Sequence, residues 1–480
     1  MNNKRNNILI NLDWLLIIVY LALIIIGWIN VFSVSYTDTS EIFDFSQRYI
    51  KQLFWIGLAF AIAISILLIN NQFLNLISYP LYVLGILVLL SVLIFGTVVH
   101  SSKSWFQIGN FAVQPVEFVK IIMCLVVAKF MSNKQFHFTN PLKVLILLSL
   151  VALPILLVLL QNDTGSALVF LSFIFVFYRE GLNKFVFFTI LVLSILFILA
   201  LIFPINYVLF LVFLFIIIWF IILNWKSIHG KIAYSFLSLF LIIASIILWR
   251  NNFEELFLRQ YLQIIILSII SLISLILIIL HLIKKNYRNL YFMGLIVGIS
   301  IYILSINYVF NNVLQEHQRN RINELLGKTT DVYGKGYHVR QSKIAISSGE
   351  FTGKGFLNGT QTRYNFVPEQ STDFIFCTIG EEWGFIGTTL TLILFGLLIC
   401  RIIYLSEKQR SAFARIYGYG LASILFFHVF VNIGMTVGLT PVIGIPLPFM
   451  SYGGSSLWAF TILLFIFIKL DSDKIQIYWE

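Results

Sequence analysis

The sequence predicts an all-α polytopic membrane protein, and three observations carry that prediction. Of its 480 residues, 59% are hydrophobic and 11% are charged, and the mean hydropathy is +0.94. Runs of about 20 apolar residues recur along most of the chain, each long enough as a helix to cross a bilayer. The runs are far too long for barrel strands, and in hydrocarbon only helices and closed barrels satisfy their own backbone. A soluble globular domain has no need of that much apolar surface. The net charge of +11 is therefore read by position against the membrane and is no argument for nucleic acid.

Lys4 and Arg5 precede the first run, about Trp14 to Val34. No small-residue cleavage site accompanies it, so it reads as a retained span and not a signal peptide. Further runs cover about 52–70, 75–97, 114–132, 141–160, 164–180, 184–203, 205–224, 234–249, 261–283, 290–311, 374–400, 412–438 and 453–470, about fourteen spans in all. With the N-terminus placed in the cytoplasm, eighteen Lys and Arg fall inside, and five (Arg48, Lys51, Lys103, Arg250 and Arg259) fall in short outer loops. That bias obeys the positive-inside rule. It puts both termini in the cytoplasm and the long segment 312–373 outside, before the third-last helix. Eight basic residues in that segment ask for an anionic partner.

Four zones follow. Residues 1–183 hold the N-terminal spans. Residues 184–311 are nearly pure Leu, Ile and Phe and read as packing or lipid-facing helices. Residues 312–373 form a large outer loop, and residues 374–480 hold the C-terminal spans with a Pro/Gly re-entrant loop. Cys124, Cys377 and Cys400 match no metal or disulfide spacing and read as small buried hydrophobes.

Polar residues concentrate in a few places. Lys103 and Trp105 lie in an outer cluster, followed by Gln114-Pro-Val-Glu-Phe-Val-Lys120. Pro115 suits a first helical turn, Glu117 sits near that helix's positive end, and Lys120 shares its face three residues on. The pair either holds structure or helps bind an anionic headgroup, since intramembrane charges are functional suspects. Asp163 suits a helix cap before Thr164. Arg321, in an amphipathic stretch opening the long segment, suits bidentate phosphate binding.

The richest polar stretch runs from Gln341 to Gly387. Gly349, Gly353, Gly355 and Gly359 permit tight turns, while Lys343, Lys354 and Arg363 supply positive charge. Asp373 is expected to open a hydrophobic helix, either as its cap or as a general base at the outer surface. Glu381 and Glu382, two turns deeper, are costly in an apolar helix unless paired or wet. Pro441, Pro446 and Pro448 forbid a regular helix in the Gly438–Ser456 stretch. A broken loop there requires protein or water around it.

Gln114-Pro-Val-Glu117, Pro368-Glu-Gln-Ser-Thr-Asp-Phe-Ile-Phe376, Gly380-Glu-Glu-Trp-Gly384 and Pro448-Phe-Met-Ser-Tyr-Gly-Gly-Ser-Ser456 together resemble the SEDS family (shape, elongation, division and sporulation). The match covers the N-terminal third and everything after about residue 312. The stretches Asn358-Gly-Thr-Gln361 and Asn365-Phe-Val-Pro-Glu369 are nearer the elongation branch than the division branch.

The resemblance implies a peptidoglycan glycosyltransferase of the bacterial inner membrane that polymerises lipid II at the outer face, for cell-wall elongation and cell shape. The partner it implies is a class B penicillin-binding protein transpeptidase. Asp373 matches the family's essential acid, Lys103 and Trp105 its first outer-loop motif, and Glu117 and Lys120 its Gln-Pro-x-Glu-x-x-Lys pair. Asp373 would take the acceptor's proton, while Lys103, Lys120, Arg321, Lys343 and Lys354 are the cations available to a diphosphate. Mg²⁺ or Mn²⁺ could bridge a diphosphate, although no ligand cluster requires it. The family has about ten spans, so about four extra helices are expected within 184–311. Two other readings stay open: a lipid II transporter or flippase, and a non-catalytic scaffold.

Overall fold

The computed structural model describes residues 11–36, 47–99, 102–109, 111–202, 335–364 and 366–473, with scattered positions between 208 and 319. The expected spans 205–224, 234–249 and 261–283, and Arg321, lie outside the described residues. The chain divides into two compact units, residues 1–187 with 330–480, and residues 188–329.

The first unit opens with three long helices, α1 (Trp14–Ser35), α2 (Arg48–Leu67) and α3 (Asn71–Phe95). A small antiparallel sheet follows, β1 (Thr97–Val99), β2 (Ser102–Ile108) and β3 (Phe111–Val113), in that spatial order. Next come α4 (Pro115–Met131), α5 (Pro141–Leu160), α6 (Thr164–Phe170) and α7 (Phe173–Arg179). Helix α8 (Lys184–Ile202) leads into the second unit, where the Tyr302 hydroxyl donates to the Leu193 carbonyl at 3.0 Å.

The chain returns through α9 (Lys335–Ser348) and the short α10 (Thr360–Arg363). The C-terminal helices are α11 (Ile375–Glu407), α12 (Ala412–Val437) and α13 (Gly454–Ser472). Among the described residues seven helices, α1, α2, α3, α5, α11, α12 and α13, are long and apolar enough to cross a membrane. The molecule is a multi-pass membrane protein.

Burial separates the helices into two sets. Most of α4, α12 and α13 is buried, whereas α2, α3 and α5 leave most of their Leu, Ile and Phe side chains outward-facing. Outward-facing apolar side chains all round a helix suit a membrane span, which needs no amphipathic stripe. The inner set carries buried polar side chains that include Glu117, Lys120, His428 and Asn432.

Four local outcomes differ from the expectations. The single span at 164–180 is two short helices, broken at Leu171 and Ser172. The stretch after α3 is a sheet, because Thr97–Val99 pairs back on Ser102–Trp105. The loop read across 312–373 contains α9, whose polar sequence hides a helix made by packing: Ala345 is fully buried, and the Ser342 hydroxyl donates to the Thr436 carbonyl at 2.9 Å. Asp373 does not open the next helix. That helix begins at Ile375 behind Phe374, and Asp373 sits in a turn whose amides point back to the Glu369 carbonyl.

Candidate functional site

Asp373 stands in a seam between α12 and the loop 438–453. The Asn432 side-chain amide donates to the Asp373 carbonyl at 2.8 Å and to the Ile445 carbonyl at 2.7 Å. The Ser451 hydroxyl donates to the Thr372 carbonyl at 2.6 Å, and the Tyr452 amide to the Ser371 carbonyl at 2.9 Å. Three successive carbonyls ahead of α11 are thus fixed from outside their own segment. Gly444 has φ +77, and a Cβ there would stand 3.2 Å from Asp373 Oδ2. The loop therefore passes directly beside the carboxylate, at a backbone angle that glycine adopts without strain. Asp373 itself is half-buried.

Arg48, in the first turn of α2, donates to the Ser371 hydroxyl at 2.7 Å, and its guanidinium lies 5.9 Å from the Tyr452 ring centre. It is exposed and two residues along the chain from the contact to Asp373. Sequence reasoning counted Arg48 only as an outer-loop charge. Nothing in its own neighbourhood marks it, because its partners come from the far end of the chain.

Glu117 and Lys120 pair at 2.7 Å, both almost wholly buried. Lys120 Nζ also lies 2.9 Å from His428 Nε2 and 5.4 Å from the Phe460 ring centre. His428 Nδ1 lies 3.1 Å from the Pro446 carbonyl. An ammonium has hydrogens to give and no lone pair, so Nε2 accepts and the ring proton sits on Nδ1, facing Pro446. The pair is thereby tied to the residue next to Ile445 in the loop.

Glu381 is the best-satisfied carboxylate described. It accepts from Lys354 Nζ at 2.8 Å, the amides of Gln361 and Thr362 at 2.9 Å each, and the Thr362 hydroxyl at 2.8 Å. Lys354 is therefore committed to an ion pair that clasps the 354–362 segment onto α11. The Ser33 hydroxyl donates to Glu382 Oε1, bringing α1 to the same place. Glu381 is paired, which answers the cost of burying it, whereas Glu382 Oε2 is buried with no hydrogen-bond partner among the described residues. The next turn is broken at Gly384 (φ 61, ψ −153).

Lys103 donates to the Leu93 and Ile94 carbonyls at 2.8 and 3.0 Å, in the last turn of α3. A cation is favoured at a helix's negative end. Its backbone amide donates to Gln161 at 2.9 Å. Trp105, half-buried, lies opposite Thr97 in the same sheet. Asp163 caps α6 through the Ser166 amide at 3.0 Å and accepts from the Gln114 side chain at 2.8 Å. Lys343 is exposed on α9 and lies against Gly438, where the Pro/Gly loop starts.

Asp373 and the Glu117–Lys120 pair thus share α12 and one loop, while Lys103 and Lys354 stand in separate clusters. Among the described residues no three His, Cys, Asp or Glu side chains form a cation cage.

A half-buried carboxylate set in a Pro/Gly seam at the start of a membrane helix, with a cation alongside, defines a polytopic membrane protein with an acid-bearing polar site. The chain belongs to the FtsW/RodA/SpoVE family of cell cycle proteins, whose model matches residues 13–216 and 267–475. It is 29% identical over 468 residues to the peptidoglycan glycosyltransferase RodA of Treponema pallidum (strain Nichols), covering 96% of this chain and 98% of that one. It is 44% identical over 164 residues to the peptidoglycan glycosyltransferase MrdB of Escherichia coli (strain K12), covering 34% of this chain and 44% of that one. A solved chain from a peptidoglycan synthase complex that coordinates polymerization and crosslinking shares the fold, with a TM-score of 0.61 and 22% identity over 97% of this chain and 99% of that one.

Proposed function

We propose that this chain is a peptidoglycan glycosyltransferase that polymerises lipid II at the outer face of the membrane, for cell-wall elongation, with Asp373 as general base. Family membership and the full-length RodA relative support the activity. The observation that carries the mechanism is the seam around Asp373: a carboxylate half out of the protein, on a backbone pinned by Asn432, Ser451 and Tyr452.

The chemistry asks for little more. The acceptor sugar's hydroxyl oxygen attacks the anomeric carbon of the donor and forms the new glycosidic bond. The bond from that carbon to the lipid diphosphate breaks, and its electron pair leaves with the diphosphate. The hydroxyl proton passes to Asp373. A positioned base of this kind contributes roughly 10²- to 10⁴-fold, and cations beside the departing diphosphate stabilise its charge.

Arg48 is the cation best placed beside the Asp373 segment, through Ser371. Lys343, exposed at the start of the loop, is the second. Lys103, Lys120 and Lys354 each have protein partners, which favours for them the work of holding the frame. Trp105 and Glu117 belong with that frame, and Arg321 is kept as a diphosphate ligand from sequence alone. The complex that shares this fold supports a crosslinking partner, here a class B penicillin-binding protein transpeptidase, and the charge distribution supports cytoplasmic termini.

The test is to incubate purified protein with lipid II and resolve the products by size, for wild type and Asp373→Ala in parallel. Glycan chains from the wild type alone support the proposal. Chains from both overturn the base assignment. Lipid movement across vesicles with no chains from either favours a transporter.

A further inference from the structure

We propose that Asn432 is a positioning residue for Asp373: one side-chain amide fixes both the backbone that carries the carboxylate and the loop that faces it. The inference rests on the reading of Asp373 as general base.

Three side-chain or backbone donors hold the carbonyls of residues 371, 372 and 373. Tyr452 and Ser451 reach the first two from the loop. Asn432 reaches residue 373 itself, at 2.8 Å, and also reaches the opposite wall, at Ile445, at 2.7 Å. Ile445 follows Gly444, whose backbone passes beside Asp373 Oδ2. One primary amide therefore ties the backbone of the carboxylate directly to the loop beside it.

The polarity of that amide is dictated by its surroundings. An NH₂ group has two hydrogens, and both are given to carbonyl oxygens. The other end, Oδ1, is buried with no hydrogen-bond partner among the described residues. A flipped amide would press its oxygen against two carbonyl oxygens. What the site requires of residue 432 is thus two donors at this length. Asn432 is fully buried, so it reaches the reacting sugars only through what it holds.

A base displaced by about 1 Å costs on the order of 100-fold in rate. Replacing donors by acceptors of the same shape, as in Asn432→Asp, repels both carbonyls and opens the seam. Asn432→Gln keeps the donors and moves them by one methylene. Both are expected to lower kcat for lipid II polymerisation by roughly 100-fold while leaving KM within about threefold, because the cations that hold the diphosphate are untouched.

The experiment compares wild type, Asp373→Ala, Asn432→Asp, Asn432→Gln and Ser78→Ala. Ser78 is a buried α3 hydroxyl bonded to Leu74 at 2.8 Å, remote from the seam, and its loss should leave kcat and KM unchanged. Hydrogen exchange is measured alongside and is expected to rise in residues 371–374 and 443–447 of the Asn432 variants and nowhere else. An inactive Asp373→Ala with wild-type kcat in both Asn432 variants overturns the positioning role alone. Full activity in Asp373→Ala overturns the reading beneath it. A raised KM with normal kcat in the Asn432 variants, or exchange that rises throughout α4 and α12, also overturns the positioning role by showing a binding or general folding role.

Discussion

Lys120 Nζ lies 2.9 Å from His428 Nε2, across 308 positions of sequence. That contact joins a charged pair on α4 to the helix carrying Asn432, and His428 passes the link to Pro446. Replacing His428 with Leu removes a hydrogen bond to a charged group, worth about 1.5–3 kcal/mol. A lower thermal unfolding midpoint in detergent is expected. An unchanged midpoint would show that the contact does no structural work.

The Glu117–Lys120 pair gives a sharper expectation. Removing one partner leaves a buried charge uncompensated, at a cost of about 3–5 kcal/mol, whereas removing both for apolar residues of similar size is often neutral. Lys120→Met alone should be severely destabilised. The double variant Glu117→Leu/Lys120→Met should regain most of the lost stability in a double-mutant cycle. A double variant no better than the single one contradicts a structural pair.

Lys354 and Glu381 separate a structural cation from a substrate-binding one. If the clasp onto α11 is what Lys354 provides, Lys354→Met should destabilise the protein and Lys354→Met/Glu381→Gln should recover both stability and KM for lipid II. Recovery of stability with a KM still raised more than about tenfold, a full 1.4 kcal/mol of binding, would show Lys354 on the diphosphate.

Gly384 breaks α11 in a conformation closed to L side chains, and a Cβ there would stand 2.8 Å from the Gly349 carbonyl. Gly384→Ala should therefore cost at least about 1–3 kcal/mol in strain, with crowding added. Wild-type expression and melting would show that the break is incidental.

The membrane class and the seven long apolar helices among the described residues were legible because each of those runs states its own helix. So was the pairing of Glu117 with Lys120, which needs only three-residue spacing. Helix α9 was not, since its polar sequence folds only against α11 and α12. The setting of Asp373 was half legible: the Pro-rich stretch announced a broken segment, but not that its Gly444 faces the carboxylate. Arg48, Asn432 and His428 carry no local signal. Their partners lie 323, 59 and 308 positions away, and only the fold brings them together.

The most direct measurement is the single-turnover rate of glycosidic bond formation from lipid II by purified wild type and Asp373→Asn, a swap that keeps shape and removes the base. A fall of roughly 10²- to 10⁴-fold with lipid II binding retained is the predicted result. A rate equal to wild type would mean that residue 373 takes no proton.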